Sequence, residues 1–236
     1  ISKAVCNEIP FEVGNDTWCV FRSALTQSWG AVSLYGTGAN AAAVSKTGTQ
    51  YILRALNYIA GGVGGGDEIA MAALHYAFRS EEGTYTHSRL EDDLPGVLSC
   101  KNMSEVLNLV YPEFEINIAD FKKIPPLVFE LAGLNDEVCI EILETHGRTQ
   151  GDLVAGMIKK ALLQLESVPV VTGGSVFKGS TTHFVDAMMA QIQKTAPLAF
   201  EVKPDLPPVA GAALLAAERA NFILDNAFYS ALHRQF

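Results

Sequence analysis

The chain of 236 residues predicts an α/β fold carrying a helical insertion, and three observations lead there. Short apolar runs, Ala31 to Tyr35, Val168 to Val171 and Leu198 to Val202, alternate with stretches of helical periodicity. Three glycine-rich turns each follow an apolar run: Gly36-Thr37-Gly38, Gly61-Gly62-Val63-Gly64-Gly65-Gly66, and Thr172-Gly173-Gly174-Ser175. From Ser80 to about Pro126 the chain becomes more polar and is broken by Pro95, Pro112, Pro125 and Pro126, which is the pattern of inserted helices rather than of sheet.

Taken in order, Pro10 to Gly14 reads as a short strand ending at Asn15-Asp16. Thr17 to Thr26 then has helical spacing, with Asn15 or Asp16 as its N-cap. Ala31 to Tyr35 is a buried strand by its β-branched and aromatic content, and Asn40 to Lys46 alternates well enough to pair with it as a hairpin. Asp67 to Phe78 follows as a helix with Ile69, Ala72, Ala73 and Tyr76 on one face and two carboxylates at its positive end. Two further helical patterns fill Pro126 to Leu165, and a strand runs from Val168 to Val171. A helix from Thr182 to Lys194, a strand from Leu198 to Val202 and a single C-terminal helix from Pro208 to about residue 236 complete the alternation.

Composition narrows the function. With 49% hydrophobic residues the chain can bury a large core as one domain. A net charge of -9 with scattered basic residues disfavours nucleic acid, which needs clustered Lys and Arg. Cys6, Cys19, Cys100 and Cys139 share no close spacing and read as reduced thiols of a cytoplasmic protein. No apolar run reaches the roughly 20 residues that span a bilayer, and no signal peptide is visible, so no membrane partner is expected. Because the chain starts at Ile1, a fragment or processed product is expected.

The chemistry-bearing candidates sit at the glycine turns. Glycine lets backbone N–H groups converge on an anion where a Cβ would block the approach, so several such turns point to a phosphate or nucleotide cleft. Thr37 offers its hydroxyl there, with a plain hairpin turn as the competing reading. Asp16 at a strand-to-helix corner is a candidate general base or simply a helix cap. Asp67 and Glu68 either bind sugar hydroxyls or metal-bound water, or compensate a helix dipole. The five histidines show no metal-ligand spacing, and no metal ligands are assigned.

In sequence order, Asn15-Asp16, Leu34-Tyr35-Gly36-Thr37-Gly38-Ala39-Asn40, Gly61-Gly62-x-Gly64-x-Gly66-Asp67-Glu68, Ala132-Gly133-Leu134-Asn135-Asp136, Thr172-Gly173-Gly174-Ser175-Val176-Phe177 and Pro208-Val209-Ala210-Gly211 resemble the C-terminal lobe of the BadF/BadG/BcrA/BcrD ATPase family, which includes N-acetylglucosamine kinases. The resemblance implies an RNase H-like, actin-like ATPase lobe with a mixed sheet flanked by helices, and ATP with Mg2+ as cofactors. It implies Asp16 as the catalytic base, Gly61, Gly62 and Asp67 at the sugar, Thr37 and Gly38 at ATP phosphate, and Ala132, Gly173 and Gly174 around the adenosine. A homodimer is expected. Three departures are visible: Val63 replaces the tryptophan common in the sugar loop, the spacing from Gly61 to Asp67 is one residue short, and Ile69-Ala70 replaces the usual Gly-Ser. Nothing before Asp16 resembles the phosphate-gripping loop of the N-terminal lobe. Two other functions fit the same resemblance, an ATPase activator of the 2-hydroxyacyl-CoA dehydratase type and a non-catalytic regulatory domain.

Overall fold

The computed structural model describes residues 13–56 and 58–235. Five strands, β1 (Gly30–Tyr35), β2 (Ala39–Val44), β3 (Gln50–Ile52), β4 (Pro169–Gly173) and β5 (Phe200–Val202), form one sheet in the order β3-β2-β1-β4-β5. The β1–β2 and β2–β3 pairs are antiparallel and the β1–β4 and β4–β5 pairs parallel, so the sheet is mixed as the sequence predicts. Alternate residues leave opposite faces. Ala31, Tyr35, Ala41 and Ala43 enter the larger core, while Val32, Ala42 and Val44 pack with Val20, Phe21 and Leu25 in a smaller one.

Helix α1 (Asp16–Ala24) covers the smaller face; the Asn15 side chain accepts from the Thr17 N–H at 3.0 Å, which makes Asn15 rather than Asp16 its cap. The larger face is built by α2 (Gly66–Glu81), α6 (Ile124–Gly133), α7 (Glu137–Lys160) and α8 (His183–Gln193). Between α2 and α6 lies the expected helical insertion, α3 (Leu90–Val97), α4 (Met103–Val110) and α5 (Ile118–Phe121). Leu90, Leu94, Met103 and Val106 are buried where it packs. The buried face of α2 runs through Ile69, Ala70, Ala73, Leu74 and Ala77. The predicted Ala72 and Tyr76 are only half-buried, a rotation of the stripe by one position.

The Gly133-Leu134-Asn135-Asp136 segment is a joint. Asn135 adopts the left-handed φ of 64°, which ends α6 with the N–H groups of Asn135 and Asp136 bonded back to Ala132 and Leu131. Asp136 then caps α7 through Cys139 N–H at 3.0 Å, and its other oxygen takes Arg89 N–H at 2.8 Å and the Ser88 hydroxyl at 2.9 Å. One buried carboxylate therefore ties the insertion to the longest helix.

Two sequence expectations are corrected. The C-terminal helix is two, α9 (Pro208–Arg219) and α10 (Asn226–His233), because Asn221 takes a left-handed φ of 58° and closes α9 in the same way. Buried Arg22 of α1 reaches both, pairing with Glu218 at 2.7 Å and donating to the Tyr229 hydroxyl at 2.6 Å. The last strand begins at Phe200, not Leu198, which is exposed. Strand β3 is an addition to the sequence reading. The predicted strand from Pro10 lies largely outside the described residues, and Val13 and Gly14 belong to no regular element.

Candidate functional site

Because β1 and β4 run parallel, with Leu34 opposite Gly173, both strands end at one edge and their glycine turns leave it together. Ligands of open α/β sheets bind outside such carboxyl ends. Gly174 has a φ of +108°, and a Cβ there would collide with the Tyr35 carbonyl. The loop 61–66 folds onto the same place. Gly66 donates its N–H to the Gly36 carbonyl at 2.6 Å, and Gly38 forms an antiparallel bridge with Gly64. A Cβ at Gly65 would stand 2.5 Å from the Gly36 oxygen. The three glycine turns thus make one corner of backbone packed on backbone.

This corner floors a cavity of 630 Å³. Gly36, Thr37, Gly66 and Asp67 line it at the corner, where the N-terminus of α2 supplies a positive dipole end suited to an anion. One wall is the segment after β4, with Ser175, Val176 and Lys178. The other belongs to α6 and the residues before it, with Lys122, Pro125, Pro126, Phe129 and Glu130. Two ammonium groups and three hydroxyls, of Thr37, Ser175 and Ser180, thus stand beside an apolar slot, a chemistry suited to an anionic ligand with a flat hydrophobic part. Oxygen donors among the lining residues at the corner, the Asp67 carboxylate and the Thr37 hydroxyl, fit a hard divalent cation carried by such a ligand.

Of the predicted site residues, Thr37 and Asp67 line this cavity, and Gly38 lies behind it in the bridge to Gly64. Gly173 ends β4 against Val20 and Leu34, and Gly174 makes the turn beside Ser175. Gly61 and Gly62 belong to the outer part of the glycine loop and are not among the lining residues. Ala132 is buried in the larger core, so α6 turns Phe129 and Glu130, not Ala132, to the cavity. Asp16 is exposed at the first position of α1 and also lies outside the lining. The next residue, Thr17, is tied to the hairpin, with Asn40 Nδ2 donating to its hydroxyl at 3.3 Å.

Directly under the corner, the Tyr35 hydroxyl meets His146 Nδ1 of α7 at 3.2 Å. The Tyr35 ring packs on Phe184 at 4.7 Å between centroids, and Phe184 on Phe177 at 5.5 Å. Burial, and then the nearby Glu68 carboxylate, raise the Tyr35 hydroxyl above the usual tyrosine range. Burial also holds the His146 imidazole below its ordinary value, with Glu68 opposing in part. Both groups are therefore neutral at neutral pH.

Sequence reasoning missed Lys122, Pro125, Phe129 and Lys178. The first two belong to a stretch that carries no catalytic signal, and the only visible clue to the wall is the Pro125-Pro126 pair at a helix start. His87 does meet Glu91 and Asp92 with ligand atoms within 4.8 Å, but on the insertion and away from the cavity lining. Cys19, Cys100 and Cys139 are free thiols. Among the described residues no helix is long and apolar enough to cross a membrane.

Comparison with known proteins connects this geometry to a chemistry. The N-acetyl-D-glucosamine kinase of Dictyostelium discoideum is 26% identical over 220 residues, covering 92% of this chain and 68% of the relative. The chain is homologous to N-acetylglucosamine kinases. Among solved structures, a proposed N-acetylglucosamine kinase from Chromobacterium violaceum superposes with a TM-score of 0.60 at 19% identity, over 86% of this chain and 64% of that one. The ROK family glucokinase of Streptomyces griseus, solved with glucose and AMPPNP, gives a TM-score of 0.50 at 16% identity over 89% of this chain and 67% of its own. These neighbours share the fold of this chain, a mixed sheet flanked by helices. The chain thus spans about two thirds of the length of these relatives. No family model matches it.

Proposed function

We propose that this chain is the C-terminal lobe of a BadF/BadG/BcrA/BcrD-type kinase that transfers the terminal phosphoryl group of ATP to a sugar hydroxyl, the acceptor being an amino sugar such as N-acetylglucosamine. The observation that carries the reading is the joining of Gly36-Thr37-Gly38 to the loop 61–66 at the head of the cavity, by the Gly66-to-Gly36 hydrogen bond and the Gly38–Gly64 bridge. Backbone that bare admits a polyphosphate where side chains would not.

In this reading Thr37 and Gly38 attend the phosphates of ATP, with Lys122 and Lys178 neutralising charge from the two walls. The adenosine lies in the apolar slot between Val176 and Phe129, with Gly173 and Gly174 beneath it and Ala132 backing the wall. Gly61, Gly62 and Asp67 hold the sugar. Asp16 takes the proton of the attacking hydroxyl. Mg2+ bound with the ATP phosphates would supply further charge neutralisation there. We further place the protein in the cytoplasm, consistent with its free thiols, and as a homodimer, consistent with exposed Phe222 and Ile223 between α9 and α10.

The test is ATP consumption by the longest natural form of the protein, with and without a panel of amino sugars and hexoses. Turnover that depends on an amino sugar supports the reading; hydrolysis indifferent to sugar, or none, refutes it.

A further inference from the structure

The turn Gly36-Thr37-Gly38 closes a hairpin in which Leu34 stands opposite Asn40 and Tyr35 opposite Ala39. At the base of that turn lies Gln150, a fully buried residue of α7. Its side-chain amide has two N–H groups, and both go to the hairpin: one to the Ser33 hydroxyl of β1 at 2.8 Å, the other to the Asn40 carbonyl of β2 at 2.9 Å. The Ser33 hydroxyl in turn donates to the Met188 sulfur of α8 at 3.4 Å. Ala41 and Ala43 enter the larger core on the α7 side, so by alternation the Asn40 side chain leaves the opposite face, toward α1. There its Nδ2 donates to the hydroxyl of fully buried Thr17 at 3.3 Å, and its Oδ1 accepts from the Ala41 N–H at 2.8 Å. Gln150 Oε1 has no partner among the described residues. A buried amide with an unmade acceptor is costlier than an apolar side chain of the same shape, so what glutamine adds at this position is its pair of donors.

We infer that Gln150 and Thr17 are positioning residues for the Gly36-Thr37-Gly38 turn, clamping the base of its hairpin from the two faces of the sheet. The inference rests on the proposed kinase function for its kinetic consequence but not for its structural one. The Gln150 amide bonds to both strands and so fixes one against the other directly under the turn. The Thr17 hydroxyl holds Asn40, two residues past Gly38, to the first turn of α1, whose own start is fixed by the Asn15 cap on the Thr17 N–H at 3.0 Å. Neither Gln150 nor Thr17 is among the residues lining the cavity, so both act through the turn and not on the ligand. What the clamp keeps in place is the Gly36 carbonyl, which receives the Gly66 N–H at 2.6 Å, and Thr37 beside it at the cavity.

Two measurements on the full natural chain test this, using Gln150→Met, which keeps the length of the side chain and removes the donors, and Thr17→Val, which removes the hydroxyl from the other face. Hydrogen exchange of the segment 34–40 is expected to accelerate about tenfold or less in each variant, the range set by losing one or two hydrogen bonds, while β4 and α8 stay protected. In sugar kinetics each variant is expected to raise KM for ATP several-fold with kcat and KM for the sugar little changed, and Thr17→Ser, which keeps the hydroxyl, to behave as wild type. A variant that merely lowered the folded fraction would instead reduce kcat and leave both KM values alone. Exchange at 34–40 unchanged in both variants, or raised evenly through β4 and α8 as well, overturns the inference, as does a kcat loss without a change in KM for ATP. If the wild type phosphorylates no sugar, the kinase reading fails, and the exchange result alone decides whether the two residues hold the turn.

Discussion

Gly179 lies against the ring of Phe129, so close that a Cβ at position 179 would overlap the ring carbons. The two residues belong to the opposite walls of the cavity, the segment after β4 and helix α6. Their contact sets how far apart the walls stand, and so the width of the slot proposed for the adenine.

Gly179→Ala is therefore expected to force the walls apart or strain them, at about 1 to 3 kcal/mol for an overpacked site. ATP affinity should fall while the sheet stays intact by circular dichroism. Adding Phe129→Leu should recover part of the loss, and calorimetric titration of the four members of the cycle checks it; strict additivity would mean that the contact does not set the width.

The glycines of the corner separate into structural and functional ones. Gly65→Ala should destabilise by about 1 to 3 kcal/mol, since its Cβ would meet the Gly36 carbonyl at 2.5 Å. Gly36 lines the cavity and a Cβ there would meet only Ser175 atoms at 3.9 Å, so Gly36→Ala should change stability by about 0.5 kcal/mol or less yet weaken ATP binding, where the new methyl stands in the way of phosphate. Thermal unfolding and nucleotide titration of the two variants read these effects separately.

Asp16→Asn, at an exposed position, should leave stability and ATP affinity nearly unchanged and lower sugar-dependent turnover about 10² to 10⁴-fold, the usual worth of a general base. Steady-state kinetics with saturating ATP measures it, and a turnover within a few-fold of wild type removes Asp16 from the mechanism.

Acid should act through His146. Its imidazole is held below the ordinary value by burial, so as pH falls past about 6.5 the unfolded chain takes up a proton before the folded one does. Stability attributable to this group is complete above that pH and declines from there down through its folded value. His146→Gln should flatten this slope in urea unfolding between pH 5 and 8. Tyr35, displaced upward, acts in the opposite limb: its unfolded form loses a proton first above about pH 10, and Tyr35→Phe should relieve nothing below that.

Asp136→Ala should be among the costlier single changes. It removes the cap of α7 and leaves Ser88 and the Arg89 N–H without their acceptor, about 2 to 4 kcal/mol together. Chemical denaturation checks the size, and Asp136→Asn should recover part of it.

The strands and the long helices were legible because their patterns are local. Ala31 to Tyr35 alternates between two cores, and the glycine runs mark turns by their nature. The break at Asn221 was not, since the alanine-rich pattern runs on toward it and only a left-handed backbone ends the helix. Strand β3 is three residues long and pairs only at the sheet edge, too short to show alternation. The cavity walls were hidden for another reason. Phe129 and Lys178 are separated by the whole of α7 and β4, and each looks in sequence like an ordinary residue of an amphipathic stretch.

The Gly36–Gly66 corner is held through main-chain atoms, whereas the walls facing it are made of side chains. Main-chain contacts survive almost any exchange of neighbouring residues so long as the glycines persist, while Pro125, Phe129 and Val176 can be replaced one at a time. Descendants of such a chain can drift in what they accept without losing the place where the phosphoryl group is handed over. Change in preference is thereby uncoupled from change in reaction.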